Sequence, residues 1–494
     1  MIKKNGFAEG LKSIAELDLR ALAILRILIS MVLLADLTIR ITDLSAFYTN
    51  DGVLPLEILF RHLWDHSYFS IFTGTSNYYL QVPIFVLYFI CIICLMLGYK
   101  TRLFTIFTWL FLMSLHSRNP LILQGADHFI RLIVFWAIFL PWGYLYSIDS
   151  YKNIAIRKSY SYRSIATFAY ICQIAFLYIF SALLKDSPEW HTDFTALYYA
   201  LSLDQLVTPI GSFIYPHFEF LRLLTAVVYY IELFLPLLLF IPFYNAWFRM
   251  GVIIVVVLMQ IGIYMTVNVG LFSITSIVAM AGLLPTHFID KWASSNTDFV
   301  HRWKTDFNRF MLRFANLTVN ETIAPPKSNN FTGIFVGFCL LYVLGWNLNT
   351  IGKKAIPDNM IWIGNLLRIH QYWSMFAPAV YKDDGWFIFA GTTTNGKEID
   401  LNHGNPLTYQ KPNRVTDFIK NDRWRKYNEN ILIVSNSYLR PYYCQFILNT
   451  WNDNSQNTEK VINLKIIYML EITLPDYMTE EPTPLELCTC TAKY

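Results

Sequence analysis

Long apolar stretches recur along the chain, separated by short polar turns, and only the last third breaks the pattern. Stretches near 19–37, 78–98, 103–117, 128–147, 165–184, 221–242, 250–269, 271–285 and 332–348 predict helices. Several fall slightly short of the ~20 residues an untilted helix needs to cross a bilayer. After about residue 350 the rhythm changes to short alternating or β-branched runs, such as 386–392 (WFIFAGT) and 431–437 (ILIVSNS). Between them lie Asn, Asp, Thr and Gly positions, with turns expected at Asp384-Gly385 and Asn395-Gly396. The pattern predicts an all-α polytopic membrane bundle of about nine transmembrane helices, followed by a small β-rich C-terminal domain outside the cytoplasm. No internal repeat or low-complexity segment interrupts it.

Composition agrees: of 494 residues, 55% are hydrophobic and 15% charged, against roughly 25% charged in a soluble domain. The net charge of +4 is spread without any Lys/Arg block, which argues against a nucleic-acid partner. A cleaved signal peptide needs an uncharged core, whereas the first apolar stretch holds Arg20, Arg26, Asp36 and Arg40 and is read as a retained helix. Basic residues fall in alternate loops: Lys3, Lys4 and Lys12; Lys100 and Arg102; Lys152, Arg157, Lys158 and Arg163; Arg249; then Lys291, Arg302, Lys304, Arg309, Arg313 and Lys327. Nine crossings put all of them on one side, the cytoplasmic one by the positive-inside rule. This makes 291–331 a cytoplasmic basic linker, 332–350 the last membrane helix and 351–494 the external domain. Cys91 and Cys94 form a CxxC inside an apolar run, where packing outweighs redox chemistry. Cys444, Cys488 and Cys490 fall in the external, oxidising compartment, where one disulfide is expected and its pairing is open.

Sorting loops by side leaves the polar chemistry in the outer ones, 47–55, 116–131 and 183–202, whose Gly, Pro and aromatic residues predict folding back over the bundle as a covered pocket. Lys185 ends the fifth apolar stretch beside Asp186, Glu189 and Trp190. It either snorkels to the interface or is a partly desolvated amine able to act as a general base. Arg118, Asn119, Asp127 and Arg131 bracket the entry to the fourth stretch, as a salt bridge between loop and helix or as donors for a ligand headgroup. Arg26, Glu232 and Gln260 lie within apolar stretches and must face inward with partners; Arg26 with Glu232 is one structural pair, cavity lining the alternative. His62 and His66 would share a helical face, the minimum for a metal site, but no HExxH surrounds them, and interfacial histidines are the simpler reading, so no metal is expected. There is no GxGxxG, Walker loop or GxSxG.

The segments 17–27 (LDLRALAILRI), 43–55 (DLSAFYTNDGVLP) and 98–136 (GYKTRLF through FIRLIVFW) resemble the HTTM domain, the membrane module shared with vitamin K-dependent gamma-carboxylases. Segments 180–190 (FSALLKDSPEW) and 196–209 (ALYYALSLDQLVTP) extend the resemblance over residues 15–290, and 371–392 resembles the outer domain that follows in bacterial members. The resemblance implies a multi-pass protein of the cell inner membrane that binds a reduced naphthoquinone, a vitamin K-like lipid. A Lys deprotonates that quinol, oxygenation turns it into a strong base, and CO₂ is added to a Glu side chain. Lys185, with Trp190 five residues on, matches the catalytic Lys. Arg118, Asn119, Asp127, Trp190, Arg131 and Glu232 become the quinone-binding candidates, around a cavity opening outward beneath Lys185. Animal carboxylases place a His after the Asn of the outer loop, where this chain has Pro120, and the tail of about 140 residues is short for capturing a large protein substrate. The alternative is a non-catalytic membrane scaffold or partner-binding subunit whose external Trp373, Phe376, Pro378 and Trp386 dock another protein.

Overall fold

The computed structural model describes residues 4–150, 160–298, 302, 305–306, 329–402, 404–457 and 459–492. The expected inner basic residues Lys3, Lys152, Arg157, Lys158, Lys304, Arg309, Arg313 and Lys327, and most of the linker 291–331, lie outside the described residues.

Among the described residues, nine helices form the apolar part: α1 (Leu19–Ile41), α2 (Tyr78–Leu97), α3 (Thr101–Arg118), α4 (Gly125–Ala137), α5 (Ile165–Leu184), α6 (Phe218–Phe234), α7 (Asn245–Thr266), α8 (Phe272–Ala281) and α9 (Asn330–Thr350). Their starts are written locally. The Asp18 carboxylate accepts from the Arg20 N–H at 2.7 Å to open α1, and Asn77 opens α2 in the same way. Capping boxes between Gln124 and Asp127 and between Ser164 and Thr167 open α4 and α5. At the end of α2, Gly98 takes the left-handed conformation (φ +69°), where a β-carbon would lie 2.3 Å from Ser147. Past Phe234 the chain tightens into a 3-10 segment to Phe240, because Pro236 offers no N–H to continue the α-helix.

Six of these elements are long and apolar enough to cross a membrane: α1, α2, α5, α6 with its 3-10 extension, α7 and α9; α8 and Thr286–Ser295, bent by 83°, would make a seventh. The chain is thus a multi-pass membrane protein by length and composition. α3 falls short through its polar positions and α4 through its 13 residues. At the centre, α1 packs on α2 and α8, α4 on α3, α5 and α8, and α5 also on α6 and α9.

The connections gather into two sets. In one, strand β1 (Glu16–Asp18) pairs with β2 (Ser161–Arg163), Arg249 donates to the Glu16 carbonyl at 2.6 Å, Arg20 meets Asp290 at 2.6 Å and the Lys100 N–H bonds Asp149 at 2.8 Å. The other set holds the 47–54 loop, the end of α3, the loops between α5 and α6, and the tail.

The tail is a five-stranded antiparallel sheet in the order β5-β4-β3-β6-β7, built from β3 (Asp383–Thr393), β4 (Glu398–Asp400), β5 (Asn405–Pro406), β6 (Val461–Ile472) and β7 (Thr483–Thr491). It is less purely β than its sequence predicts: α10 (Asp422–Leu432) and α11 (Arg440–Asp453) accompany the sheet, α11 packing on β6 and β7. Ile431–Ser437 is not a strand. Asn421 accepts from the N–H groups of Arg423 and Trp424, starting a helix whose inward side carries Tyr427 and Ile431 and ends the apolar run in its last turn. Asp384-Gly385 is not a turn but the interior of β3, where a β-carbon on Gly385 would come within 2.0 Å of the Met469 carbonyl. Asn395-Gly396 does turn, with Gly396 at φ +78° closing the β3–β4 hairpin. Cys444 on α11 is bridged to Cys490 on β7, Cα atoms 6.1 Å apart, and Cys488 is free.

Candidate functional site

One face of α5 carries Tyr178 and Ser181, and Lys185 caps the helix just beyond them. Lys185 is only 3% exposed and its Nζ forms an ion pair with Oε2 of Glu232 on α6, itself 7% exposed. The geometry decides between snorkelling and burial, because the ammonium points at an acid inside the protein. Its other side is covered by Trp190, whose ring centroid is 4.4 Å from Nζ. Trp190 stands in the short helix Pro188–His191 and its indole N–H donates to the Phe376 carbonyl at 2.9 Å. Nε2 of His191 donates to the Lys185 carbonyl at 2.5 Å, and that ring lies edge-on to Tyr229 at 4.9 Å. One turn deeper, Gln260 of α7 donates to the Tyr178 hydroxyl at 3.4 Å. Gln260 Oε1 and Ser181 Oγ are buried without a hydrogen-bond partner. The Trp190 indole covers Nζ from the other side.

The expected pairing of Arg26 with Glu232 does not occur. Arg26 turns to the opposite loop set, donating to the carbonyls of Trp142 at 3.0 Å and Tyr146, so Glu232 is left to Lys185.

Arg118, Asn119 and Asp127 form a second, separate group. Arg118 donates to the carbonyls of Leu54 (3.1 Å) and Thr49 (3.4 Å), and Asn119 to that of Phe47 (3.1 Å) while accepting from the Leu121 N–H (3.2 Å). These side chains hold the 47–54 loop. Asp127 is the centre of a buried network: Arg40 reaches it at 2.5 Å and Asp36 at 2.8 Å, and Arg423 from α10 bonds Asp36 at 2.6 Å and both oxygens of Asp127. His116 approaches Asp127 at 3.4 Å and the Tyr48 hydroxyl accepts from Arg40 at 2.9 Å. Two arginines facing two aspartates balance in charge, and one of the four comes from the tail, so the network fastens the C-terminal domain to the bundle.

Arg131 belongs to a third group. Its Nη2 donates to the His370 carbonyl at 3.1 Å and to Nδ1 of His128 at 3.2 Å. Beside it lies Arg368, whose guanidinium covers the Tyr68 ring at 4.3 Å. Both Arg368 and Arg423 escaped the sequence reading; Arg423 sits in an ordinary polar run and Arg368 in a short Leu/Ile stretch of the tail, and only the fold shows what surrounds them. His62 and His66 share no helical face, since the π-helical turn that holds His62 ends at Leu63, short of His66, and His62 stacks on Tyr438 at 4.0 Å. Among the described residues no group of three His, Cys, Asp or Glu is arranged to hold a metal.

A cavity of about 430 Å³ opens among the first loop set, lined by Thr101, Trp142, Asp149, Ser164 and Asn329. Another of about 370 Å³ lies between bundle and tail, lined by Ala46, Trp386, Phe389, Trp424 and Phe446. Lys185 lines neither. No family model, curated protein or solved structure matches the chain.

Proposed function

We propose that this is an HTTM-type enzyme of the inner membrane, related to vitamin K-dependent gamma-carboxylase, that runs quinol-dependent carboxylation or related quinol chemistry at its outer face. The observation that carries the reading is the Lys185–Glu232 pair, an amine and an acid buried together beneath Trp190 at the outer end of α5. The unpartnered acceptors Gln260 Oε1 and Ser181 Oγ fit the hydroxyl donors of a reduced quinone ring, and Tyr178 and Tyr229 supply aromatic surface. Such a quinol, when bound, supplies the reducing equivalents of the reaction.

The chain's own part is proton handling. Lys185 has a lone pair to offer only after its proton has moved to Glu232 Oε2, so the pair works as one unit with Nζ as the acceptor and Glu232 as the store. Trp190 shields Nζ from water, and the Phe376 carbonyl holds Trp190 in that position. Pro120, where a carboxylase His would stand, opens a 3-10 turn capped by Asn119, so neither residue offers a second base. Lys185→Ala is expected to abolish quinol-dependent incorporation of labelled CO₂ into a Glu-containing peptide. Absence of incorporation by the wild type with several quinols would remove the carboxylase reading. The docking alternative has less to stand on, because Trp373 and Trp386 are buried, Phe376 is half-buried and Pro378 alone of the four is exposed.

The same proposal includes nine crossings, with the N-terminus cytoplasmic and the tail outside. Its support is that α3 begins in the loop set around Lys100 and Asp149 and ends at the 47–54 loop, while α8 begins beside Asp422 and continues, past its bend, to Asp290 beside Arg20.

A further inference from the structure

We propose that Arg131 and Arg368 form a buried binding site for a compact anion, of the size of chloride, bicarbonate or formate. Arg131 is 0% exposed and Arg368 4%, and among the described residues neither has a carboxylate within ion-pair distance. Four guanidinium nitrogens, Nε and Nη1 of each, are buried without an acceptor. The protein's other buried arginines that lack acids provide the contrast. Arg26, Arg118 and Arg249 each spend their Nη groups on backbone carbonyls and leave Nε alone without a partner. Arg20, Arg40, Arg423 and Arg425 are matched to acids. Among the described residues, only the Arg131–Arg368 pair combines the lack of a paired acid with a surplus of buried donors.

The two guanidinium groups share one shell. Arg131 bonds His128 Nδ1 and the His370 carbonyl, the His128 and His370 rings are 6.4 Å apart, and Tyr68 lies between His370 (6.4 Å) and Arg368 (4.3 Å). The neighbouring acids are occupied: Asp127 by Arg40 and Arg423, Asp65 by the Ser67 N–H and Asn365. Neither histidine compensates the charge. A guanidinium can only donate, so His128 Nδ1 is an unprotonated acceptor, and burial together with the guanidinium groups of Arg131 and Arg368 keeps the His370 ring neutral. Two buried like charges with idle donors are stabilised by a counter-anion whose oxygens or halide surface accept those N–H groups. The full burial of Arg131 limits that anion to a few atoms. This inference is independent of any base role for Lys185.

The test uses the full-length protein in detergent, exchanged into gluconate, an anion too large for the site. Thermal unfolding is followed while chloride, bicarbonate or formate replaces gluconate at constant ionic strength and pH. The expected result is a saturable rise in Tm of about 4 °C or more with at least one of the three, the order among them identifying the ligand. Arg368→Gln is expected to lose that response while melting in gluconate no lower than the wild type, since it removes an unpaired charge. A readout apart from stability is broadening of the chloride NMR line by the wild type, reversed by formate and absent in Arg368→Gln. Identical wild-type melting in all four anions with no line broadening, or an undiminished response in Arg368→Gln, would overturn the proposal.

Discussion

A buried ammonium and a buried carboxylate are tolerable only together, which gives the Lys185–Glu232 pair a testable signature apart from any activity. Lys185→Met leaves Glu232 without its partner and is expected to cost about 3–5 kcal/mol in detergent melts, whereas Lys185→Met with Glu232→Leu should recover most of the loss. Strictly additive losses would show that the two do not interact. Lys185 and Glu232 were legible in the sequence because a charge in an apolar run stands out; their pairing was not, since 47 residues separate them and only the packing of α5 on α6 brings them together. Asp384 was hidden for the opposite reason, as Asp-Gly reads like a turn. Burial, aided by the charge of Asp204, pushes its carboxyl from the ordinary 3.8 up to about 7. Because the folded value is the higher one, its contribution to stability is complete below about pH 4 and is lost as the pH rises through about 7. Asp384→Asn is therefore expected to flatten the stability profile between these limits and to exceed the wild type at pH 8, by up to roughly 4 kcal/mol. Parallel pH profiles for the two proteins would sink this assignment.

At the scale of elements, the helices that periodicity marks most clearly are those whose whole length is apolar, and the misread segments are those whose partner decides their form. The 431–437 run became a helix end because the surface available to it is the turn at Pro120–Ile122 together with α11, and a helix presents Tyr427 and Ile431 on one side. The Asp36–Arg40–Asp127–Arg423 network was half visible, since Asp36, Arg40 and Asp127 stood out and Arg423, some 296 residues beyond Asp127, did not. The join between α10 and the bundle can be probed at Gly270, which has φ +62° and whose added β-carbon would lie 1.9 Å from Asp422 Oδ2. Gly270→Ala combines left-handed strain with that clash and is expected to cost roughly 1–3 kcal/mol. It should also release the tail to limited proteolysis before the bundle unfolds. A tail as protease-resistant as the wild type's would mean that α10 is held by the Arg423 network alone.

For the whole molecule, the sidedness of the tail depends on parity, and parity depends on one bent element. Six crossings would leave both ends of the chain on the same side; counting α3 and the α4 segment adds two and changes nothing, while α8 adds one and reverses the outcome. α8 has 10 residues, a rise of about 15 Å, half of the ~30 Å apolar thickness. Its backbone is nonetheless enclosed by α1, α4 and α7, so the irregular residues on either side of it need not meet lipid. Thr286–Ser295, with no buried residue and Trp292 exposed, has the character of a helix lying along an interface, which places the 83° bend where the chain leaves the bundle. The proposed odd count rests on this geometry, and it predicts opposite labelling of two exposed positions. In intact cells, on a background lacking the partly accessible Cys94 and Cys488, Lys354→Cys should react with a membrane-impermeant maleimide, and Lys12→Cys should react only after permeabilisation. Equal labelling of both would make α8 a re-entrant hairpin instead of a crossing. The tail would then share the compartment of the N-terminus while Lys185, which precedes α8 in the chain, kept its own side, so the Trp190–Phe376 contact that covers Lys185 could not form.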